Sequence, residues 1–101
     1  MTPEGKVKSK IKRVLDKYKP YVYYDMPVPT GYGKSGLDFN GCVLGFYFQI
    51  EAKAPGEWLT PRQRQTAMKI LAAGGRVFTV SSDETVARLE DWLIRVLRAN
   101  R

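Results

Sequence analysis

The sequence predicts an α/β domain with the element order α-β-β-β-α-β-α. Three observations carry this reading. Apolar side chains recur at helical spacing near the N-terminus and again over 83–98. Residues 46–53 alternate in the manner of a strand. Proline, glycine and threonine punctuate the boundaries between these segments. At 101 residues, the chain 1–101 is expected to form a single domain.

The elements follow in order. Thr2-Pro3-Glu4 opens the first helix with a capping hydroxyl, a proline in the first turn and an acid. Val7, Ile11, Val14, Leu15 and Tyr18 form its apolar stripe, and Glu4 lies on that stripe one turn earlier. Pro20 ends the helix, and 21–28 reads as a strand rich in tyrosine and valine. A glycine-rich stretch follows, from Pro29 to Gly36. It contains Gly33-Lys34-Ser35, but Val28 stands where a phosphate-binding loop needs its first glycine, so no nucleotide cofactor is expected. Residues 37–43 and 46–53 read as two strands joined by a Leu44-Gly45 hairpin. Residues 54–58 make a turn. Thr60 and Gln63 stand at capping-box spacing to open a second helix, which Gly74-Gly75 stops. A strand over 76–82 and a helix from Asp83 to about Arg98 complete the chain.

Composition narrows the chemistry. The chain has no histidine, which removes Ser-His-Asp and Cys-His catalysis and His-ligated zinc. A metal would have to be held by oxygen, which selects Mg²⁺ or Mn²⁺. The lone Cys42 makes no internal disulfide, fits a reducing compartment, and reads more simply as a small strand residue than as a nucleophile. No run approaches the roughly 18–20 apolar residues of a membrane span. The N-terminus lacks the apolar core of a signal peptide. The net charge is +7, and Lys6, Lys8, Lys10, Lys12, Arg13, Lys17 and Lys19 crowd the first helix. This balance suits a polyanionic partner or a basic, soluble surface.

The strand 46–53 carries the sharpest signal. Phe46, Phe48, Ile50 and Ala52 share one face, expected to be the core. Tyr47, Gln49, Glu51 and Lys53 share the other. The hairpin would return Asp38 to the neighbourhood of Glu51. Two carboxylates and a lysine converging on one spot suit a divalent metal and a phosphate. The alternative is an exposed strand face with a Glu-Lys pair, worth under ~1 kcal/mol. Glu4 reads either as a complement to the helix dipole or as part of this site. Gln63 reads as a cap or as an inward amide, sharing a helix face with Ala67, Ile70 and Leu71. Lys34, Arg62 and Arg64 are candidate phosphate contacts or solvated charges. Tyr32, Trp58 and the tyrosines of 21–24 suit base stacking or packing.

These residues resemble the VRR-NUC (virus-type replication-repair nuclease) family of the PD-(D/E)xK nuclease superfamily. The matching positions are Glu4, Gly36-Leu37-Asp38, Ile50-Glu51-Ala52-Lys53 and Leu59-Thr60-Pro61-Arg62-Gln63, followed by Gly75 and the strand from Arg76 to Val80. Leu37 stands where the family usually has a proline. The resemblance implies a restriction-endonuclease-like core, with a mixed β-sheet flanked by α-helices. It implies Mg²⁺-dependent hydrolysis of DNA phosphodiesters, with Mn²⁺ able to substitute. Asp38, Glu51 and the main-chain carbonyl of Ala52 would ligate the metal, with Glu4, Lys53 and Gln63 completing the catalytic set. Lys6, Lys10, Lys17, Lys34, Arg62 and Arg64 would contact DNA. Small members of the family act as homodimers on branched DNA, resembling Holliday-junction resolvases, which points to a phage protein working in a bacterial cytoplasm. A monomeric flap or nicking nuclease and a non-catalytic basic DNA-binding module remain as alternatives.

Overall fold

The computed structural model describes residues 1–28 and 36–100. The segment 29–35, with Tyr32 and Lys34, and the terminal Arg101 lie outside the described residues. The elements are α1 (Pro3–Lys17), β1 (Val22–Asp25), β2 (Phe39–Val43), β3 (Phe46–Ala52), α2 (Pro61–Ala72), β4 (Arg76–Val80) and α3 (Asp83–Ala99). This is the expected order. The first and last strands are shorter than the sequence suggests, ending at Asp25 and Val80.

Local chemistry sets the boundaries. Thr2 caps α1 by accepting from the Gly5 amide at 3.0 Å. Thr60 and Gln63 form a reciprocal capping box on α2, and Ser82 with Thr85 forms another on α3. Gly74, at φ 91°, takes the left-handed position that ends α2. Leu44 and Gly45, at φ 47° and 87°, make the two-residue hairpin turn between β2 and β3. Two positive φ values match the right-handed twist of the flanking strands.

The sheet runs β1-β2-β3-β4. The first three strands are antiparallel, and β4 pairs parallel to β3. The sheet is therefore mixed. One face packs α1 and α3 over a core that includes Ile11, Leu15, Phe39, Phe48, Ile50, Val80, Leu89 and Leu93. Phe48 and Phe78 meet Trp92 at ring-centroid distances of 6.0 and 5.3 Å. Phe48, Ile50 and Ala52 of β3 enter the core as expected, but Phe46 is 48% exposed, lying before the pairing with β4 begins at Phe48. No helix among the described residues is long and apolar enough to cross a membrane.

The other face is covered only in part. Gln49, Glu51 and Lys53 are buried on it, although all three are polar. They lie at the end of the sheet where α2 begins. Burial of three polar side chains in a row requires partners, and these partners define the site.

Candidate active site

Asp38 immediately precedes β2, and the β2–β3 register pairs Phe39 with Ile50. Asp38 therefore falls level with Glu51. The Asp38 amide donates to Glu51 Oε1 at 3.2 Å, and the Ala52 amide donates to Asp38 Oδ2 at 2.9 Å. Each carboxylate is thus fixed by the backbone of the other's strand. The third acid comes from α1, whose N-terminus places Glu4 beside them. One carboxylate oxygen from each of Glu4, Asp38 and Glu51 lies within 4.8 Å of the others.

The positive charges are arranged around this cluster. Lys53 Nζ sits 3.9 Å from Glu51 Oε2, with only 11% of its side chain exposed. The Lys53 amide donates to the Val80 carbonyl at 2.9 Å, tying the end of β3 to β4. Lys8 Nζ lies 3.6 Å from both Glu4 Oε1 and Asp38 Oδ1. The sequence alone placed Lys8 merely on the fringe of α1. Its position one turn after Glu4 was the available signal.

Gln63 performs both of its candidate roles at once. Its Oε1 accepts from the Thr60 amide at 3.0 Å, and its Nε2 donates to Glu51 Oε2 at 3.1 Å. A single side chain caps α2 and orients the buried carboxylate. The other members of its expected inward face differ: Ala67 is buried, but Leu71 is 53% exposed. Gln49 joins the site from the same strand face. Its Oε1 accepts from the Leu37 amide at 3.0 Å and its Nε2 donates to the Tyr47 hydroxyl at 2.6 Å. A proline at 37 has no amide hydrogen to give. The leucine, 3% exposed, supplies both a donor and an apolar anchor for the segment leading to Asp38.

Burial raises the Glu51 carboxyl to about 7, the charge and hydrogen bonding of Asp38 adding to the effect and Lys53 opposing it in part. A buried acid held near neutrality by desolvation and a neighbouring carboxylate is a frequent mark of a functional site.

The remaining candidates separate. Ala52 is buried in the core, its amide donating to Asp38. Arg62 and Arg64 lie exposed on the first turn of α2, beside Gln63. Lys6 is exposed on α1. Lys10 pairs with Asp83 at 2.5 Å and Lys17 with Glu90 at 2.9 Å, so both reach across to α3.

No family model and no curated protein matches this sequence. Among solved structures, a chain described as a VRR_NUC domain superimposes with a TM-score of 0.77, covering 90% of this chain and 97% of that one at 19% identity. This protein has the VRR-NUC fold. The VRR-NUC fold is of the restriction-endonuclease-like type, a mixed sheet between helices, and the acidic cluster stands at the end of its two central strands.

The donor set suits a hard divalent cation. Three carboxylates within 4.8 Å repel one another, and Lys8 and Lys53 offset that repulsion only from its edges. All the donors are oxygen, as Mg²⁺ and Mn²⁺ prefer.

Proposed function

We propose that this chain is a VRR-NUC nuclease that hydrolyses DNA phosphodiesters with a divalent metal, Mg²⁺ or Mn²⁺. The observation that carries the reading is the convergence of Glu4, Asp38 and Glu51 with Lys53, on this fold. Asp38, Glu51 and the Ala52 carbonyl would hold the metal, with the Glu4 carboxylate beside them. When bound, the metal supplies charge neutralisation at the scissile phosphate and a lowered pKa for an attacking water.

The chain's own residues do the rest. Gln63 and the Asp38 amide fix the two oxygens of Glu51, so its carboxylate is preorganised. Lys53 is a point charge held beside Glu51, placed to orient the nucleophile or to stabilise charge on the phosphate. Lys8 neutralises Glu4 and Asp38, and it stands close enough to shift to a phosphate oxygen when the acids acquire another partner. Lys6, Arg62 and Arg64 are candidates for holding the DNA backbone near this pocket.

The substrate we favour is branched DNA, the four-way junction above all, cut by a homodimer in the cytoplasm. A small domain reads DNA shape and phosphates rather than base sequence. Two copies related by a two-fold axis would present two sites to opposite strands. Tyr21 and Tyr23, 58% and 69% exposed, supply aromatic surface of the kind enriched at interfaces. Tyr24, by contrast, donates to Asp16 at 2.7 Å and packs on Phe39. The test is cleavage of a panel of junction, flap and linear DNAs with Mg²⁺, alongside light scattering. Junction cleavage at twice the 11.5 kDa chain mass is expected. Mixing in Lys53→Ala protein should leave junctions nicked on one strand. A strict monomer that cuts flaps equally well would favour the flap-nuclease reading. Tight DNA binding without cleavage in either metal would favour a non-catalytic module.

A further inference from the structure

The basic side chains of this chain differ in their partners. Lys8, Lys10 and Lys17 on α1, and Lys19 just after it, each have a carboxylate within 4.0 Å. On the outer side of α3 the arrangement differs. Arg88, Arg95 and Arg98 recur with Asp91 on one helical stripe. They line an open groove of about 740 Å³ against β4. Arg88 pairs with Glu84 at 2.6 Å, but Arg95 and Arg98 form no ion pair among the described residues. Asp91 is the only carboxylate lining the groove among those residues.

Arg76 enters the same groove from the opposite wall. It opens β4, an edge strand of the sheet, and its guanidinium carbon lies 5.7 Å from the ring centroids of both Phe78 and Trp92. Contact with ring faces holds a guanidinium in place while leaving its donors available. Planar, weakly hydrated arginine heads suit phosphate better than lysines do.

The groove is remote from the acidic pocket. β4 runs parallel to β3, with Arg76 opposite Phe48 and Val80 opposite Ala52. At about 3.3 Å per residue, Arg76 lies roughly 13 Å back from the level of Ala52. From Arg88 to Arg98 the stripe extends about 15 Å, at about 1.5 Å per residue. That length runs beside about four consecutive phosphates of one DNA strand.

We propose that the groove between β4 and α3 is a second phosphate-binding surface, in which Arg76, Arg95 and Arg98 hold a duplex arm of the DNA away from the pocket that cuts it. This rests on the nuclease reading above. It assigns the grip on the flanking arm to arginines of α3 and β4, in addition to the residues around the pocket.

The test is the salt dependence of duplex binding, read by fluorescence anisotropy in chelating buffer so that nothing is cut. Arg95→Gln/Arg98→Gln should lower the log–log salt slope by about two, one for each lost phosphate contact. Both side chains are exposed, so the melting temperature should hold, and the contacts of Arg76 with the rings remain. Adding Arg76→Gln should lower the slope further. Cleavage at saturating DNA should keep its wild-type rate, with the loss confined to KM, and a duplex too short to leave the pocket should bind both proteins alike. Wild-type binding with an unchanged slope in the variants would overturn the groove while leaving the nuclease reading intact. No salt-dependent binding by the wild-type protein would overturn both.

Discussion

Two regions of this molecule bring lysines against carboxylates, with opposite results. Along the seam between α1 and α3, Glu90 accepts from the Tyr18 hydroxyl and from Lys17 at 2.9 Å. These partners hold its carboxyl below the usual glutamate value. At the end of the sheet, Glu51 sits level with Asp38, and burial drives its carboxyl up to about 7. The seam matches each charge to a partner near solvent. The pocket gathers three acids and leaves them under-neutralised. A fold selected only for stability has no reason to assemble the second arrangement. On the proposed reading, the contrast separates charges that serve packing from charges that serve chemistry.

The largest expected effect lies in the pocket. Asp38→Ala, Glu51→Ala and Lys53→Ala should each lower cleavage by at least ~10²-fold, the scale of removing one preorganised electrostatic group. DNA binding should survive. Full activity in any one variant, measured by single-turnover cleavage, would remove that residue from the catalytic set.

The second effect is on stability. Glu51 has a folded pKa above its unfolded value, so the folded state holds its proton more tightly. That contribution is complete below about 4.5 and is lost as pH rises towards about 7. Without metal, the protein should therefore weaken across this window, by up to roughly 3 kcal/mol at about 1.4 kcal/mol per unit. Glu51→Gln should flatten the profile and be the more stable protein at pH values above the window. Urea denaturation in chelating buffer on either side of it reads this directly. A wild-type profile already flat there would mean that Glu51 is better solvated than its surroundings imply.

The seam should respond less. Tyr18→Phe removes one hydrogen bond to Glu90 and should cost about 1 kcal/mol. Lys10→Met breaks an exposed pair with Asp83 and should change stability by no more than ~0.5 kcal/mol. A larger loss from Lys10 than from Tyr18 would mean that the seam's charges are more coupled than their exposure suggests.

Much of this was legible in the sequence. Strand alternation put Glu51 and Lys53 on one face, and the Leu44-Gly45 turn returned Asp38 to them, because both signals are local. The capping residues fixed the start of α2 for the same reason. What could not be read depends on distant segments. The partners of Lys10 and Lys17 lie on α3, at the other end of the chain. The reach of Lys8 to Asp38 needs the crossing of α1 over the sheet. Phe46 follows the core alternation but lies before β4 pairs with β3, and that register only the fold supplies. The Gln49–Leu37 hydrogen bond joins a side chain to a backbone group whose position only the fold supplies.

The central claim is that the three acids form a metal site, and calorimetric titration with Mn²⁺ tests it most directly. Binding should displace the proton that Glu51 holds near neutrality, so the measured heat should depend on the ionisation enthalpy of the buffer, and affinity should rise with pH. Asp38→Asn should abolish most of the binding while the protein stays folded. A wild-type protein that takes up no Mn²⁺, with DNA present as well as without it, would contradict the account.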